Sequence, residues 1–435
     1  MLTPPASPPS RPAAQDASGP AGDIEGGLGG FLSANARWLG AGALMTFASS
    51  FGQTFFISLS AGEIRGEFGL SHGEWGGIYT LGTLASAATM LWAGGLADRV
   101  RAGRLAGALM ALLAGACLVM AASPVAAALV GAVFLLRLFG QGMLYHTAMV
   151  CMGRWFARRR GRAVAIAGLG IAVGEALLPL GFVALTGLVG WRGGWIAAAC
   201  LALALAPLAP LWLRRERRPG APGAASETPG LGGRHWTRPQ ALRHWLFIAT
   251  FPAFLAQPVF STAFFFQQAH LADIKGWTLA QFVALFPLYV AAAIPMTFLG
   301  GWIVDRVGAR RAAPAWPLLL ALALGAASFG QGLAAAAAIM ALMGAMQGYG
   351  SAVAGAWWPE IYGTRHLGAI RAAAASVMVF ATALGPGLSG MLIDAGVGLE
   401  TQLSGMSLYS LLMAGVFRWV DRRAGRDPDL LERVK

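Results

Sequence analysis

Charged residues are scarce in this sequence. Asp, Glu, Lys and Arg make up 12% of its 435 residues, whereas a soluble domain carries about 25%. Apolar residues make up 57%, and they are gathered into long runs. This composition excludes an ordinary soluble domain and predicts a membrane protein.

Cysteine is rarer still, with three residues. Cys117, Cys151 and Cys200 fall in or beside apolar runs and lack the spacing of a ligand set. We therefore expect no disulfide framework, no metal site and no cofactor. No P-loop motif occurs, so we expect energy from an ion gradient or from exchange rather than from a nucleotide.

Twelve apolar runs are each long enough to cross a bilayer as a helix, which takes about 17–25 residues. The runs are continuous and do not alternate, which favours helices over barrel strands. The predicted fold is an all-α membrane protein with twelve transmembrane helices in two pseudo-symmetric six-helix halves. Its predicted divisions are a disordered tail over 1–36, a first bundle over 37–213, a linker over 214–244, a second bundle over 245–421 and a tail over 422–435.

The positive charge lies on one side of this arrangement. If the N-terminus is cytoplasmic, 28 of the 32 Lys and Arg residues fall in cytoplasmic tails and loops. The positive-inside rule then places both termini in the cytoplasm of a cell (inner) membrane. The net charge of +13 is thereby explained by topology, so we expect a lipid bilayer and no nucleic acid as partner.

One short motif, G-x-x-x-D-R, occurs twice. Its aspartates, Asp98 and Asp305, are 207 residues apart. The same spacing recurs at two further pairs of residues, Gly161 with Gly368 and Pro179 with Pro386. A spacing of about half the chain, kept at separate positions, indicates an internal duplication. The doubled motif resembles the loop motif of the major facilitator superfamily of transporters.

That resemblance implies a gate latch that holds the cytoplasmic side closed in the outward-open state. Each Asp would lie near the positive N-terminal end of a helix from the other half, near Ile370 for Asp98 and near Ala163 for Asp305. A solvated loop charge is the alternative. The candidate gating residues are Gly94, Asp98, Arg99, Gly301, Asp305, Arg306 and Arg310.

Arg137 is the one basic residue deep inside an apolar run, and its surroundings resemble the Arg-Gly motif of the superfamily's fourth helix. Glu175 is the acidic residue well inside a run of the first half. Helix geometry puts their depths about 6 Å apart, so the two could pair. The pair would be either a structural lock between two helices or a site for anion binding and proton coupling.

Four glutamines lie near the middle of their segments. Buried amides either join helices or line a substrate path, and we keep both interpretations. The candidate residues for substrate binding or coupling are therefore Arg137, Glu175, Gln53, Gln141, Gln257 and Gln347.

The stretch W-F-x-x-R-R-G-x-A, which begins at Trp155, is similar to the monocarboxylate and oxalate–formate carrier branch of the superfamily. We predict a monomeric secondary transporter, not an enzyme, that moves a small solute by alternating access. Arg137 favours a small organic anion coupled to protons or to exchange. The alternatives are an efflux carrier for apolar or amphipathic compounds and, in another class, a membrane sensor or an intramembrane enzyme.

The topology can be tested by labelling. Cysteines introduced at Ala221 and close to Gly276 should react with an impermeant thiol reagent from opposite sides of the membrane, because the basic residues place the two positions on different sides. Labelling of both positions from the same side would contradict the twelve-helix arrangement.

Overall fold

The computed structural model describes residues 28–156, 159–215, 217 and 228–427. Within these residues all regular secondary structure is helical. Twelve long helical segments cross the described part of the molecule, and they are numbered α1 to α12 in chain order. The predicted all-α fold is confirmed.

The first six segments form the first half. They are α1 (Leu28–Ser49), α2 (His72–Ala93), α3 (Ala102–Ala122), α4 (Ala126–Trp155), α5 (160–189) and α6 (191–212). The last two form one stretch that Gly190, with φ 72° and ψ 169°, divides. Short helical turns lie at Ser50–Gly52, Thr54–Ile57, Ser58–Ser60, Ala61–Phe68 and Leu96–Arg99.

The second half repeats this order. Its segments are α7 (Trp245–Phe266), α8 (Leu279–Val307), α9 (Ala309–Phe329), α10 (Gly332–Tyr362), α11 (Leu367–Asp394) and α12 (Leu399–Ala424). Short helical turns lie at Leu231–Gly233, Arg238–Arg243 and Gln268–Ile274.

Nine helical stretches in the described residues are long and apolar enough to cross a membrane. One of them contains both α5 and α6. α1 and α2 are not among the nine. α2 is rich in Gly, Ala and Thr, and these small residues let it pack closely on α11.

The duplication seen in the sequence also appears in the backbone. The turns before α2 and α8 contain Gly69 and Gly276, which have φ values of 64° and 68°. Each turn is followed by a capping box, which starts at Ser71 in one half and at Thr278 in the other. Both pairs keep the spacing of 207 residues. The same left-handed turn and the same cap therefore start the second helix of each half.

The predicted tail over 1–36 overlaps the first helix, and the division between tail and bundle stays a prediction. α1 begins at Leu28, so residues 28–36 are helical, and residues 1–27 lie outside the described residues. This first part of α1 is held by packing: the buried Phe31 ring meets Phe156 edge-on at 5.6 Å. Asn35 accepts a hydrogen bond from Arg217, which also donates to the Trp155 carbonyl.

The predicted linker and C-terminal tail also differ in part from the structure. Residues 228–237 of the linker run along the loop after α10, where the Trp236 N–H donates to the Tyr362 carbonyl. Residues 218–227 lie outside the described residues. α12 continues to Ala424, three residues beyond the predicted end of the bundle, and residues 428–435 are not described.

An even number of crossings places the start of α1 and the end of α12 on one face of the bundle. The loops with Asp98 and Asp305 lie there as well, and we call it the basic face. The face that carries Gly69, Gly276 and Asp394 is called the opposite face.

Candidate functional site

The first helix is broken near its middle. After α1 the chain makes a 3-10 turn at Ser50–Gly52, becomes extended at Gln53 (φ −83°, ψ 153°) and resumes as Thr54–Ile57. Within a membrane such a break frees backbone polar groups that need partners inside the protein. Broken helices of this kind are where transporters place their binding sites.

The break is packed directly on α4. A β-carbon on Gly52 would lie 2.2 Å from the Leu136 carbonyl oxygen, and one on Gly140 would lie 2.7 Å from the Gly52 α-carbon. Only glycines allow this approach. Opposite the break, α4 widens into a π-helical segment over Arg137–Leu144, a distortion that is frequent at functional sites.

Arg137 stabilises the break from the side of α4. Its guanidinium donates to the Gly52 carbonyl at 3.3 Å and to the Thr54 hydroxyl at 3.5 Å. It also lies 5.4 Å from the centre of the Tyr79 ring, and the Tyr79 and Thr54 hydroxyls are 2.6 Å apart. Arg137 is only 5% exposed. It therefore reaches the space between the halves through Thr54 and not directly.

A cavity of about 220 Å³ lies between the two halves beside this break. Gln141 is the 16th of the 30 residues of α4, and Gln347 is the 16th of the 31 residues of α10, so the cavity lies near mid-depth. Its lining comes from both halves: Gln53, Thr54, Phe55, Gln141, Glu175, Gln257, Pro258, Ser261, Thr262, Phe265, Phe286, Tyr289 and Gln347.

All four predicted glutamines thus lie around one cavity, together with Glu175. In the second half Gln257 donates to the Gln347 side chain at 2.7 Å. The buried Ser261 hydroxyl has no hydrogen-bond partner within the described part of the chain. These groups present donors and acceptors to the cavity from opposite sides.

Glu175 is the acidic residue of this lining, and Arg137 is not part of the lining. Among the residues described, no ion pair joins Arg137 to Glu175: Arg137 is directed at the broken helix, whereas Glu175 faces the cavity. The predicted pairing is therefore absent in this conformation, and the two residues have different surroundings.

The two halves are locked together at the opposite face. The Asp394 carboxylate, at the end of α11, accepts hydrogen bonds from the Ser71 hydroxyl at 2.6 Å, the Gly73 N–H at 2.7 Å and the His72 N–H at 3.1 Å. A helix start leaves four N–H groups without internal partners. The other half of the molecule satisfies two of them at the start of α2, and the negative charge suits this helix end.

Below this lock α2 and α11 are in backbone contact. A β-carbon on Gly76 would lie 2.6 Å from the Pro386 carbonyl oxygen, and one on Gly390 would lie 2.2 Å from the His72 carbonyl oxygen. The Thr80 hydroxyl donates to the Ala383 carbonyl at 2.7 Å. Small residues thus close the opposite face over a long stretch of both helices.

The turns that follow the break in the first helix meet the end of α7 on the same side of the cavity. The Ser58 hydroxyl donates to the Phe265 carbonyl at 2.7 Å, and these positions are 207 residues apart, so equivalent points of the two halves touch. The Gln268 amide crosses to the Phe55 carbonyl at 2.7 Å. These contacts complete the closure of the opposite face.

Two histidines from different halves also meet there. The rings of His72 and His270 have centroids 4.2 Å apart. Burial and the nearby positive charge of Arg65 lower the pKa of His270, and Asp273 partly opposes this shift. A neutral His270 lets the rings approach without charge repulsion.

The basic face shows a different pattern. Asp98 pairs with Arg154 of its own half at 3.4 Å, and its side chain is 68% exposed. Asp305 is exposed. The structure does not bring Asp98 to the start of α11, so the predicted latch is not formed in this conformation and stays a prediction.

Two of the other predicted gating residues, Arg306 and Arg310, also find partners within one half. Arg310 pairs with Asp421 at 2.9 Å, and Arg306 lies 3.9 Å from the centre of the Trp302 ring. Gly94 lies close to its own helix, whereas Gly301 faces open space and Arg99 is exposed. Contacts between the halves are thus concentrated at the opposite face.

The sequence matches the family model of the Major Facilitator Superfamily over residues 42–314 and 246–433. The chain belongs to the Major Facilitator Superfamily. It is an integral membrane transporter and not an enzyme. None of the curated proteins matches it.

Solved structures share the fold. A bacterial homolog of the human lysosomal transporter Spinster, in an inward-facing and occupied conformation, superposes with a TM-score of 0.68 at 14% identity, covering 89% of this chain and 97% of that one. The unoccupied inward-facing form of the same protein superposes with a TM-score of 0.68 at 16% identity and with the same coverage of both chains. A mutant of the nucleoside transporter NupG superposes with a TM-score of 0.66 at 12% identity, covering 88% of this chain and 99% of that one. The monocarboxylate and oxalate–formate branch stays a prediction.

Sequence reasoning missed several residues of this candidate site. From the sequence, Asp394 resembles a solvated charge near the end of a helix. Its contact with α2 is visible only in the folded structure. The capping box at Ser71 could be read from the sequence, but not its partner in the other half. Thr54 and Tyr289 gave no signal, because hydroxyls are common in such helices.

The role of Arg137 can be tested with a double-mutant cycle. If Arg137 acts through Thr54, then Arg137→Met and Thr54→Val should each lower thermal stability and solute affinity, and the double variant should be no worse than Arg137→Met. We expect a coupling energy of about 0.5–3 kcal/mol between the two sites. Additive losses would contradict action through Thr54.

The two faces can be compared with a pair of matched substitutions. Asp394→Asn weakens the cap on α2 and should favour the state open at the opposite face by about two- to thirtyfold, since a lost cap costs about 0.5–2 kcal/mol. Asp98→Asn should favour the state open at the basic face, if the latch forms there. The measurement is spin-label distance across each face. Shifts in the same direction would rule out opposed gates.

Proposed function

We propose that the chain is a proton-coupled secondary transporter of a small polar solute, with Glu175 as the proton carrier. The observation that carries this proposal is that Glu175 is the charged residue of a cavity otherwise lined by amides, hydroxyls, aromatic rings and one proline. A carboxyl can take up and release a proton, and its place on the wall of the cavity lets a bound solute influence that exchange.

The solute would be held by hydrogen bonds. Gln53 and Gln141 present amides from the first half, and Gln257 and Gln347 present them from the second. A cavity of about 220 Å³ is smaller than the 300–1,000 Å³ of drug-sized sites. Its size and polar lining support a small polar solute over the larger apolar or amphipathic compounds of the efflux alternative.

The predicted organic anion remains one candidate. No Lys or Arg side chain lines the cavity in the part of the chain that the structure describes, so an anion would bind best when Glu175 is protonated. Like charges at close range favour protonation of one of them. The anion and the proton would then move together, and affinity would rise as the pH falls.

A cationic solute is the second candidate, and the lining favours it, because an ionised Glu175 would neutralise the cation directly. Protonation of Glu175 would release the cation, so the two would move in exchange. Affinity would then fall as the pH falls. The sign of the pH dependence therefore distinguishes symport of an anion from exchange of a cation.

With the basic face in the cytoplasm of an inner membrane, closure of the opposite face corresponds to an inward-facing state. Alternating access would then exchange the contacts of Asp394 with α2 for the predicted contacts of Asp98 and Asp305. A monomer contains both halves, and no second copy is needed for this cycle.

Glu175→Gln should abolish solute-dependent proton movement, because the amide cannot titrate. An anionic or neutral solute should still bind and exchange, whereas a cationic solute should bind more weakly, because the carboxylate that neutralises it is lost. Proteoliposomes with a pH dye inside, challenged with small carboxylates, amines and polyols, measure both. Glu63→Gln is the matched control, since Glu63 is an exposed residue of the helix Ala61–Phe68. Proton movement that survives in Glu175→Gln would exclude Glu175 as the carrier.

A further inference from the structure

A second cavity, of about 640 Å³, lies at the basic face, away from the solute cavity. Its charged lining consists of Arg234, Arg243 and Arg365, and two histidines, His235 and His244, complete its polar wall. Among the described residues no Asp or Glu lines it. Three guanidinium groups around one cavity make its electrostatic potential positive, which attracts anions.

This basic cavity has a defined wall. The Thr364 N–H donates to the Thr228 carbonyl at 3.0 Å, and the Trp236 N–H donates to the Tyr362 carbonyl at 3.1 Å. A β-carbon on Gly230 would lie 2.4 Å from the Ile361 carbonyl oxygen, so the linker and the loop after α10 fit closely. The backbone therefore fixes the segment that carries Arg234 beside the loop that carries Arg365.

The cavity lies at the level of the bilayer surface. His244 is followed directly by Trp245, the first residue of α7. The rings of Trp245 and Trp419 are 5.7 Å apart, and the Arg423 guanidinium lies 4.6 Å from the centre of the Trp245 ring. Tryptophan and arginine together are typical of the membrane interface, where lipid headgroups lie.

We propose that this cavity binds a phosphate group, and that its source is the headgroup of an anionic phospholipid. Guanidinium groups match phosphate oxygens through paired hydrogen bonds. Basic pockets at the cytoplasmic ends of membrane helices bind such headgroups. Neither Glu175 nor the solute cavity enters this proposal, so it stands or falls independently of the proposed transport mechanism.

The arginines carry the charge of the site. Burial lowers the pKa of His244, and the nearby Asp427 opposes this shift in part. A neutral His244 can still donate one hydrogen bond to a phosphate oxygen. Loss of arginines should therefore weaken binding more than loss of the histidine.

The test is lipid binding by the full chain in neutral detergent, followed by native mass spectrometry with phosphatidylglycerol and with phosphatidylcholine. The wild type should prefer phosphatidylglycerol. The triple variant R234A/R243A/R365A should lose about tenfold or more in affinity, since it removes the charged donors that would bind the phosphate oxygens. The charge-matched triple R311A/R418A/R422A removes three exposed arginines outside the cavity and should change the affinity by less than about twofold.

Two further arms complete the design. Titration with inorganic phosphate shows whether free phosphate binds the cavity without a lipid. If it binds the wild type and does not bind R234A/R243A/R365A, the phosphate site is supported, but its ligand comes from solution and not from a lipid. If the triple variant does not fold, single charge reversals make the same comparison, with Arg243→Glu in the cavity and Arg422→Glu as the control. Equal losses in the cavity and control variants, or no preference of the wild type for phosphatidylglycerol, would overturn the proposal.

Discussion

The close contact between Gly52 and Gly140 is the constraint on which the centre of the molecule depends. A bilayer gives a broken helix no water, so each freed backbone group must find a partner in the protein. α4 approaches the break closely enough to supply one, because neither glycine has a side chain in the way. The π-helical widening of α4 then directs Arg137 at the Gly52 carbonyl. A buried arginine is costly, and here a carbonyl, a hydroxyl and an aromatic ring share its charge.

Closure of the opposite face combines a long apolar contact with a small polar lock. The glycine-lined contact of α2 with α11 excludes water over several turns, but it makes few specific bonds. Asp394 adds a charge at the start of α2, where water can replace its hydrogen bonds when the halves separate. A transporter needs two states of similar free energy, because a large gap would trap it in one of them. A water-accessible carboxylate is suited to such a lock.

The sequence was sufficient for the fold because its signals are long and local. Apolar runs, the motif repeated at Asp98 and Asp305 and the spacing of 207 residues predict twelve helices in two halves. The sequence also selected Glu175 and four glutamines, since polar groups in apolar runs stand out. It could not place Arg137, because helix depth says nothing about the direction of a side chain. The partner of Asp394 is 321–323 residues away, and no local pattern contains that information.

The two halves repeat the scaffold but not the charge. At the positions equivalent to Arg137 and Glu175 the second half has Gly344 and Thr382. A β-carbon on Gly344 would lie 2.0 Å from the Tyr289 carbonyl oxygen, so α8 and α10 pack closely where the first half holds an arginine. The first half thus contributes the ionisable group, and the second contributes the Gln257–Gln347 pair. A solute that contacts both Glu175 and the glutamine pair would couple the protonation of the first half to the movement of the second. Two halves without a shared solute could not be coupled in this way.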